Sequence, residues 1–485
     1  MKKKESITKN YFYNLCYQIL VIIIPIITTP YISRTLGAKE IGIYSYVYSI
    51  VSTFILFGTL GITLYAQREI AYTQNNIKER SKVFFELCII RFITIGISIV
   101  VYYFTCIKNQ DYSLYYIILL AEIVANCIDI SWLLQGMEQF KKTVVRNIIV
   151  KVLSTIAIFI FVKKSSDLYL YTIIRAASVF LGNLSLLVYI PKYVICVKLN
   201  ELEIKKHIKP ILLLFIPQIA LQIYMVLDKT MIGNVLSEKS EVGYYEQAQK
   251  IIRLLLSVIT SLGTVMVPRM ASVYVNKDEE KIKYYMNKSF DFVLALAVPM
   301  TLGLIAISKY FVPVFYGEGY EKVITLLIVG SPLIIVIGLN NITGVQFLLP
   351  TKKQKEFTIA VLLGSITNFL LNFIFIKKWE SAGATFTSVI AELIILLVEI
   401  FYCKKYVSIK EIGKISLKKV IAGIGMFLVI IFIPYYINNI VTLFIKCCVG
   451  AALYFLILWV EKDSFFKYAA EKMSSIIRSK IKKKI

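Results

Sequence analysis

The sequence is poor in the residues that most often build catalytic and metal sites. It contains one histidine, His207, and its eight cysteines form neither a CxxC pair nor a Cys/His spacing that would hold a metal ion. Most of the cysteines lie within or beside hydrophobic runs, where a free cysteine normally packs as a small apolar side chain. We therefore expect neither a metal site nor a cofactor.

Charged residues are also scarce. They make up 18% of the 485 residues, whereas hydrophobic residues make up 58%, and the mean hydropathy is +0.72. An ordinary soluble domain is about 25% charged and about 45–50% apolar. A soluble monomer of this composition would expose large apolar patches to water, which such proteins rarely do. The composition therefore predicts a protein embedded in lipid.

Long uncharged runs indicate that helices cross the membrane. Residues 11–29 carry no charge, and residues 441–460 carry only Lys446. A helix needs about 20 apolar residues to cross the roughly 30 Å hydrocarbon core, whereas the strands of a barrel would alternate apolar and polar residues. Lys2–Lys4 before an apolar run resemble a signal peptide, but no small-residue cleavage site closes the run, so we expect a retained first span. Breaks at charged and turn-rich stretches predict about fourteen spans: 11–31, 41–66, 83–107, 113–136, 143–162, 168–190, 210–235, 244–267, 289–308, 323–349, 357–376, 382–403, 420–437 and 440–460.

The positive charge indicates how the chain is oriented. Lys and Arg outnumber Asp and Glu by 55 to 30, and most of them fall in alternate loops and at the two ends. The positive-inside rule places these loops and both termini in the cytoplasm. Because the charge is spread along one membrane face and forms no basic domain, it does not indicate nucleic-acid binding. The loops are all short, which leaves no place for a soluble catalytic domain, and we expect no enzyme.

An internal duplication divides the chain. Residues 40–44 (EIGIY) return as residues 241–245 (EVGYY), and the basic stretch 136–142 after the fourth predicted span has a counterpart at 349–355 after the tenth. Six repeated spans give two halves of the same topology, an arrangement in which two lobes surround a central pathway. The predicted organisation is a six-helix lobe, a second six-helix lobe, and a segment with two extra helices and a basic tail: residues 1–206, 207–406 and 407–485.

Four motifs carry a resemblance to a known family. They are Pro30–Gly37 with Gly42 and Tyr44, Trp132–Phe140, Asp228–Gly233 with Val242–Tyr245, and Leu348–Thr351. In this order they resemble the bacterial polysaccharide flippases, the Wzx-type translocases of oligosaccharide repeat units in the multidrug/oligosaccharidyl-lipid/polysaccharide exporter superfamily. The resemblance covers essentially the whole chain.

The resemblance implies a fold, a substrate and partners. The fold would be an all-α, V-shaped, two-lobed transporter like the multidrug exporters, with a cationic central cavity. The substrate would be an undecaprenyl-diphosphate-linked oligosaccharide, flipped to the outer leaflet of the bacterial cytoplasmic membrane for capsule or surface polysaccharide. Besides the lipid bilayer, polysaccharide polymerase and assembly proteins would be candidate partners.

Charges within the predicted spans are candidates for function, because burying an ionisable group in a membrane is costly. Arg91 with Asp129, and Asp228 with Lys250, lie at matching depths, so we expect them to form structural pairs. Arg34, Arg175, Lys229 and Arg253 have no obvious carboxylate at matching depth. Lys250 is three residues from Arg253 and shares its helix face. We predict that the cationic set holds the lipid diphosphate, since an arginine fork donates two hydrogen bonds to phosphate oxygens at once. This set is Arg34, Arg175, Lys229, Lys250 and Arg253. Arg34 and Lys229 have the alternative of reaching the outer headgroups.

Buried carboxylates are candidates for ion coupling. Glu122 and Asp129 lie seven residues apart on one predicted span, and Glu392 and Glu399 repeat that spacing on another. One of them would bind a coupling proton or sodium ion, unless Lys151 or Arg175 neutralises Glu122.

Other functions stay open at this point. The nearest alternatives are a multidrug antiporter and a lipid II flippase of the same superfamily, and a membrane glycan polymerase is more distant. Against the antiporter, residues 11–29 contain no carboxylate for a cation and the surplus charge is positive. Against the polymerase, the predicted outer loops are short and contain neither paired carboxylates nor a Ser/His/Asp set.

Overall fold

The computed structural model describes the backbone of residues 7–108 and 111–463, and their side chains except those of 7–19, 216–218, 220–225 and 409. Within these ranges the chain consists of helices and short connections, with no β-strand. The predicted all-α membrane fold is confirmed. The predicted basic tail beyond residue 463 lies outside the described residues.

The chain divides into two compact units on either side of the Gly243–Tyr244 bond. The α-helices that lie in the first unit are α1 Ile7–Thr59, α2 Ile62–Tyr72, α3 Ile77–Tyr102, α4 Ser113–Cys127, α5 Ser131–Gly136, α6 Phe140–Phe161, α7 Leu168–Leu184, α8 Ile190–Tyr193 and α9 Lys205–Val235. The following helix begins just before the boundary, and the others lie in the second unit: α10 Ser240–Thr260, α11 Gly263–Val275, α12 Glu279–Tyr316, α13 Glu321–Gly330, α14 Pro332–Asn340, α15 Gln354–Cys403, α16 Ile409–Phe432 and α17 Asn439–Val460.

The predicted number of fourteen spans is not confirmed. Among the described residues, nine helices are long and apolar enough to cross a membrane, or up to eleven if each of two bent pairs is one span. Long helices explain part of the difference. Helix α1 contains a single non-helical residue, Gly37 (φ 83°, ψ 169°), and α15 contains one, Glu380 (φ 54°, ψ −132°). Each of these residues breaks its element where a loop between two spans was predicted, so each of the two elements contains two of the predicted spans.

The repeated motif lies at a close backbone crossing within the first unit. A Cβ atom on Gly42 would lie 1.7 Å from the carbonyl oxygen of Lys239, and one on Gly243 would lie 2.1 Å from that of Ala38. The contact is reciprocal, since each glycine faces the carbonyl four residues before the other. Only glycine fits at either position. The division into repeats at 206/207 stays a prediction, because α9 packs along α1 and the compact units separate after Gly243.

The two extra helices pack as part of the second unit. Helices α16 and α17 contact each other, and both pack against α12. Buried charges connect them: Lys419 on α16 donates to Asp291 on α12 at 2.5 Å and to Asp463, beyond the end of α17, at 2.9 Å. Lys446 on α17 donates to the carbonyl oxygens of Ile430 and Ile433 at the end of α16, at 2.5 and 2.9 Å. Lys419 and Lys446 therefore stabilise the packing of these helices.

Candidate functional site

A partly buried group of charged and aromatic side chains lies in the first unit around Arg175. We call it the Arg175 cluster: Tyr44 and Tyr48 on α1, Glu122 on α4, Lys151 on α6, and Tyr171 and Arg175 on α7. Four helices converge there, which explains how residues far apart in the sequence come together. With two cations and one carboxylate, the cluster carries a net positive charge.

The aromatic rings form the walls of the cluster. The ring of Tyr44 stacks on that of Tyr48, with centroids 5.6 Å apart and an interplanar angle of 12°, and meets the ring of Tyr171 edge-on at 5.0 Å. The tyrosine pair on α1 is four residues apart, so both rings lie on one helix face. A rigid aromatic surface next to a guanidinium suits a ligand that has both sugar rings and phosphate.

Two polar atoms of the cluster are left unsatisfied. The Tyr44 hydroxyl points toward the Arg175 guanidinium without reaching good hydrogen-bond geometry, and among the described residues neither this hydroxyl nor Arg175 Nε has a hydrogen-bond partner. Glu122, only 3% exposed, is close enough to Arg175 to interact with its charge. A buried donor without a partner costs about 1–3 kcal/mol. A ligand that accepts hydrogen bonds would recover this cost.

The other members of the predicted cationic set have different surroundings. Arg34 is exposed on α1, just before the break at Gly37, and Lys229 is buried on α9. In the second unit, Arg253 Nη2 lies 3.7 Å from Glu246 Oε2, and Lys250 is half-buried one helical turn away. The expectation that Arg253 has no carboxylate at its depth is wrong. Glu246 was missed, although its spacing of seven residues places both side chains on one face of α10.

The structure brings the predicted structural pair Arg91 and Asp129 together. Arg91 is 2% exposed; its Nη1 donates to the carbonyl oxygen of Asp129 at 2.8 Å, and its Nη2 lies 3.9 Å from Asp129 Oδ2. The Asp129 carboxylate also accepts from the Ser131 backbone N–H at 2.9 Å, at the start of α5. These contacts give Asp129 a structural role. Asp228 is buried on α9 and Lys250 lies on α10, and their pairing stays a prediction.

Two buried carboxylates lie on α15 in the second unit. Asn340 donates to Glu392 at 2.5 Å, and Thr343 donates to Glu399, which is fully buried. The other oxygen of Glu399, Oε1, has no hydrogen-bond partner among the described residues. It lies where a Cβ on Gly344 would be only 2.4 Å away, so glycine makes room for it.

Three residues of the family motifs, Trp132, Gly136 and Gly233, pack helices together. Trp132 is fully buried and packs on Phe84, with centroids 5.4 Å apart. Gly136 lies against α2, where an added Cβ would meet a backbone oxygen at 2.8 Å, and Gly233 lies against the ring of Tyr46, where it would meet a ring carbon at 2.0 Å. At these three positions the packing requires a side chain of a particular size and leaves no space for a ligand.

Sequence reasoning also missed a buried network around the one histidine. His207 Nε2 lies 2.6 Å from Glu86 Oε2, and His207 Nδ1 lies 2.7 Å from the Tyr65 hydroxyl. The other carboxylate oxygen of Glu86 accepts from the Glu203 backbone N–H at 2.6 Å, and Lys206 lies 3.2 Å from Glu86 Oε2. The network connects the start of α9 to α2 and α3. Among the described residues, no group of three or more His, Cys, Asp or Glu side chains is placed to hold a metal ion.

In the part of the chain that the structure describes, the long apolar helices have the architecture of a multi-pass membrane protein. The chain belongs to the polysaccharide biosynthesis protein family, whose model matches residues 7–274. The family predicted from the four motifs is confirmed.

Individual relatives are distant in sequence. The chain is 23% identical over 397 residues to the "Putative O-antigen transporter" of Escherichia coli (strain K12), a match that covers 81% of this chain and 95% of the relative. It is 25% identical over 224 residues to the lipid II flippase MurJ of Thermosipho africanus (strain TCF52B), covering 44% of each.

Solved structures show the fold. A lipid II flippase MurJ in an inward closed conformation matches with a TM-score of 0.74 and 18% identity, covering 93% of this chain and 98% of that one. An inward-facing multidrug transporter of the MATE family matches with a TM-score of 0.56 and 13% identity, covering 81% of this chain and 99% of that one. At these identities the similarity concerns the fold alone.

Proposed function

We propose that this protein is a flippase that moves an undecaprenyl-diphosphate-linked oligosaccharide from the cytoplasmic to the outer leaflet of a bacterial cytoplasmic membrane, for capsule or other surface polysaccharide. Family membership and the named activities of the relatives support the substrate class. In this proposal both termini are cytoplasmic, and the two repeat lobes rock to give alternating access. The long apolar helices support a location of the chain within the membrane.

The observation that carries the proposal is the unsatisfied pair of donors in the Arg175 cluster. A diphosphate oxygen between Arg175 Nε and the Tyr44 hydroxyl would accept from both atoms, which have no partner in the described part of the chain. Hydrogen bonds to a charged group contribute about 1.5–3 kcal/mol each. The stacked rings of Tyr44 and Tyr48 would then face the first sugar.

Glu122 gives the cluster a way to release its ligand. A carboxylate and a diphosphate compete for the same guanidinium, so the ionised form of Glu122 favours release from Arg175 and the protonated form favours binding. Proton uptake at Glu122 would therefore couple to substrate binding. Glu392 and Glu399 are the corresponding candidates in the second unit, and Arg34, Lys229, Lys250 and Arg253 would guide the diphosphate elsewhere along its path.

Export in cells tests the proposal. In a deletion strain complemented with Arg175→Lys or Arg175→Ala, we expect surface glycan to fall at least tenfold at equal membrane levels of the protein. Each 1.4 kcal/mol of binding free energy that is lost lowers the affinity tenfold. Lipid-linked oligosaccharide should accumulate in the cell. The matched control is Arg269→Ala, which removes an exposed arginine of α11 and should leave export unchanged. Normal export by Arg175→Ala would contradict the role of the cluster.

The same strains separate the alternatives. Deletion should abolish surface glycan, leave growth intact and leave drug sensitivity unchanged. Loss of viability in the absence of any surface-glycan pathway would favour lipid II as the substrate, and increased sensitivity to cationic drugs would favour a multidrug antiporter.

A further inference from the structure

The segment between α8 and α9, residues 194–204, has little regular structure of its own but a fixed position against α3. Just before it, Arg80 Nε donates to the carbonyl oxygen of Tyr193 at 2.8 Å. Within it, the Ile195 backbone N–H donates to Ser81 Oγ at 3.0 Å. Arg80 and Ser81 are both buried on α3, so the first part of the segment is held close to this helix.

Carboxylates hold the second part of the segment. The Glu203 backbone N–H donates to Glu86 Oε1 on α3 at 2.6 Å. Glu201 Oε2 lies 3.0 Å from Lys78 Nζ and 3.3 Å from Lys82 Nζ, both in the first two turns of α3. The carboxylates of Glu86 and Glu201 are therefore engaged in positioning the segment.

The segment exposes apolar side chains. Leu199 is 79% exposed and Ile195 is 44% exposed, and Ile208, in the first turn of α9, is 46% exposed. The segment follows the candidate span Ser165–Tyr193 and lies outside the spans found among the described residues. Because they stand at the end of a span, these side chains are within reach of the membrane interface, where burying their apolar surface is favourable.

Exposed lysines accompany the apolar side chains. In the part of the chain that the structure describes, four of them form no ion pair: Lys192, Lys198, Lys205 and Lys209. The remaining carboxylate of the segment, that of Glu203, lies 3.5 Å from Lys206. The surface therefore combines apolar groups with a local excess of positive charge, a combination typical of peptides that bind anionic lipids.

We propose that the segment 194–204 binds the anionic surface of the inner leaflet, with Leu199 and Ile195 in the interface and the four lysines at lipid phosphates. The proposed orientation of the chain places this segment on the cytoplasmic side, where anionic headgroups attract basic residues next to a span. A lipid surface fits better than a soluble anion, because it offers hydrocarbon and phosphate at the same place. Binding depends on this orientation and not on the transported substrate. Because the segment leads directly into α9, it would hold the first turn of that helix at the membrane surface.

The test measures whether the side chain at position 199 enters the lipid. Leu199→Trp is made in the full-length protein with Trp379→Phe and Trp459→Phe, so that the fully buried Trp132 is the only other tryptophan. Nanodiscs of phosphatidylcholine, with or without phosphatidylglycerol, contain phospholipids brominated on the acyl chain, which quench tryptophan fluorescence by contact. We expect strong quenching of the new tryptophan in nanodiscs with phosphatidylglycerol and weak quenching in phosphatidylcholine alone.

Removing charge should release the segment. Each lysine near an anionic surface contributes a roughly fivefold preference for it, so Lys192→Gln/Lys198→Gln should shift the equilibrium roughly 30-fold toward the unquenched state. Lys198→Gln alone should shift it roughly fivefold, and high salt should act in the same direction. The matched control Lys283→Gln/Lys355→Gln removes two exposed lysines of the second unit and should leave the quenching unchanged. Thermal melting in detergent checks that each variant is folded.

Several results would overturn the proposal. One is an absence of quenching in both kinds of nanodisc, which would assign the surface to a protein partner instead. Equal quenching in both kinds would show that apolar contact alone places the segment in lipid, without anionic headgroups. An equal loss of quenching in Lys192→Gln/Lys198→Gln and in the control would show that only the total charge of the protein matters.

Discussion

Replacing Lys419 by methionine should destabilise the second unit strongly. Lys419 is fully buried, and it donates to Asp291 at 2.5 Å and to Asp463 at 2.9 Å. Both aspartates are also buried, 4% and 2% exposed, so the substitution leaves two carboxylates without the cation that they share. Breaking a buried ion pair from one side costs about 3–5 kcal/mol, because the remaining charge stays desolvated. For a unit of this size that corresponds to a decrease of about 10 °C in melting temperature.

The assay is thermal melting of the detergent-purified protein, followed by size-exclusion chromatography, with membrane levels measured in parallel. The control is the triple variant Lys419→Met/Asp291→Asn/Asp463→Asn, which removes all three charges and should recover most of the loss, since replacing a whole buried pair is often neutral. A Lys419→Met protein that melts within about 2 °C of the wild type would refute the reasoning, and so would a triple variant no more stable than the single one.

Three further changes have defined outcomes. Gly42→Leu should prevent accumulation of folded protein in the membrane, since its Cβ would lie 1.7 Å from the Lys239 carbonyl oxygen, whereas Gly413→Leu, with nothing within 4 Å, should accumulate normally in the same immunoblot. Lys446→Met should lower the melting temperature, because the two carbonyl oxygens at the end of α16 lose their donor. A buried acceptor without a partner costs about 1–3 kcal/mol of stability. An unchanged melting temperature would exclude a capping role. Hydrogen bonds from two lysines lower the pKa of Glu201, so its contribution to stability is present above its unfolded pKa and is lost as pH falls through the folded one. The melting temperatures of wild type and Glu201→Gln should accordingly converge in acid, and a difference that grows as pH falls would contradict this.

Much of the fold could be predicted because lipid imposes simple rules on composition. Apolar runs long enough to cross the bilayer indicated the helices, and four short motifs indicated the family. The predicted number of fourteen spans is not confirmed, since the described residues contain nine candidate spans, or up to eleven. Hydropathy does not register a single non-helical residue such as Gly37 or Glu380, so a break inside a long helix and a loop between two helices give the same pattern.

The pairing of buried charges was harder to predict. In a soluble helix the polar face shows which residues point outward, but a membrane helix is apolar on every side and has no such face. Equal depth was sufficient for Arg91 on α3 and Asp129, which lies between α4 and α5. It was not sufficient for Lys419 and Asp291, which lie 128 residues apart in the chain. Arg253 and Glu246 were within reach of sequence reasoning, since their spacing of seven residues places them on one helix face.

These contacts change how an ionisable residue in a membrane span should be interpreted. Lys419, Lys446 and Arg91 are all buried, and each holds helices together through identified acceptors. Burial of a charge is therefore a poor indicator of a binding site, because an interaction with a structural partner offsets the cost of desolvating the charge. Arg91 Nε also lacks a partner among the described residues, yet the other nitrogens of Arg91 hold Asp129. Around Arg175 the described part of the chain provides no such acceptor for Nε, and the Tyr44 hydroxyl beside the guanidinium has no partner there either. A phosphate oxygen would accept from both atoms, which is the physical reason for proposing the substrate's phosphate at this place.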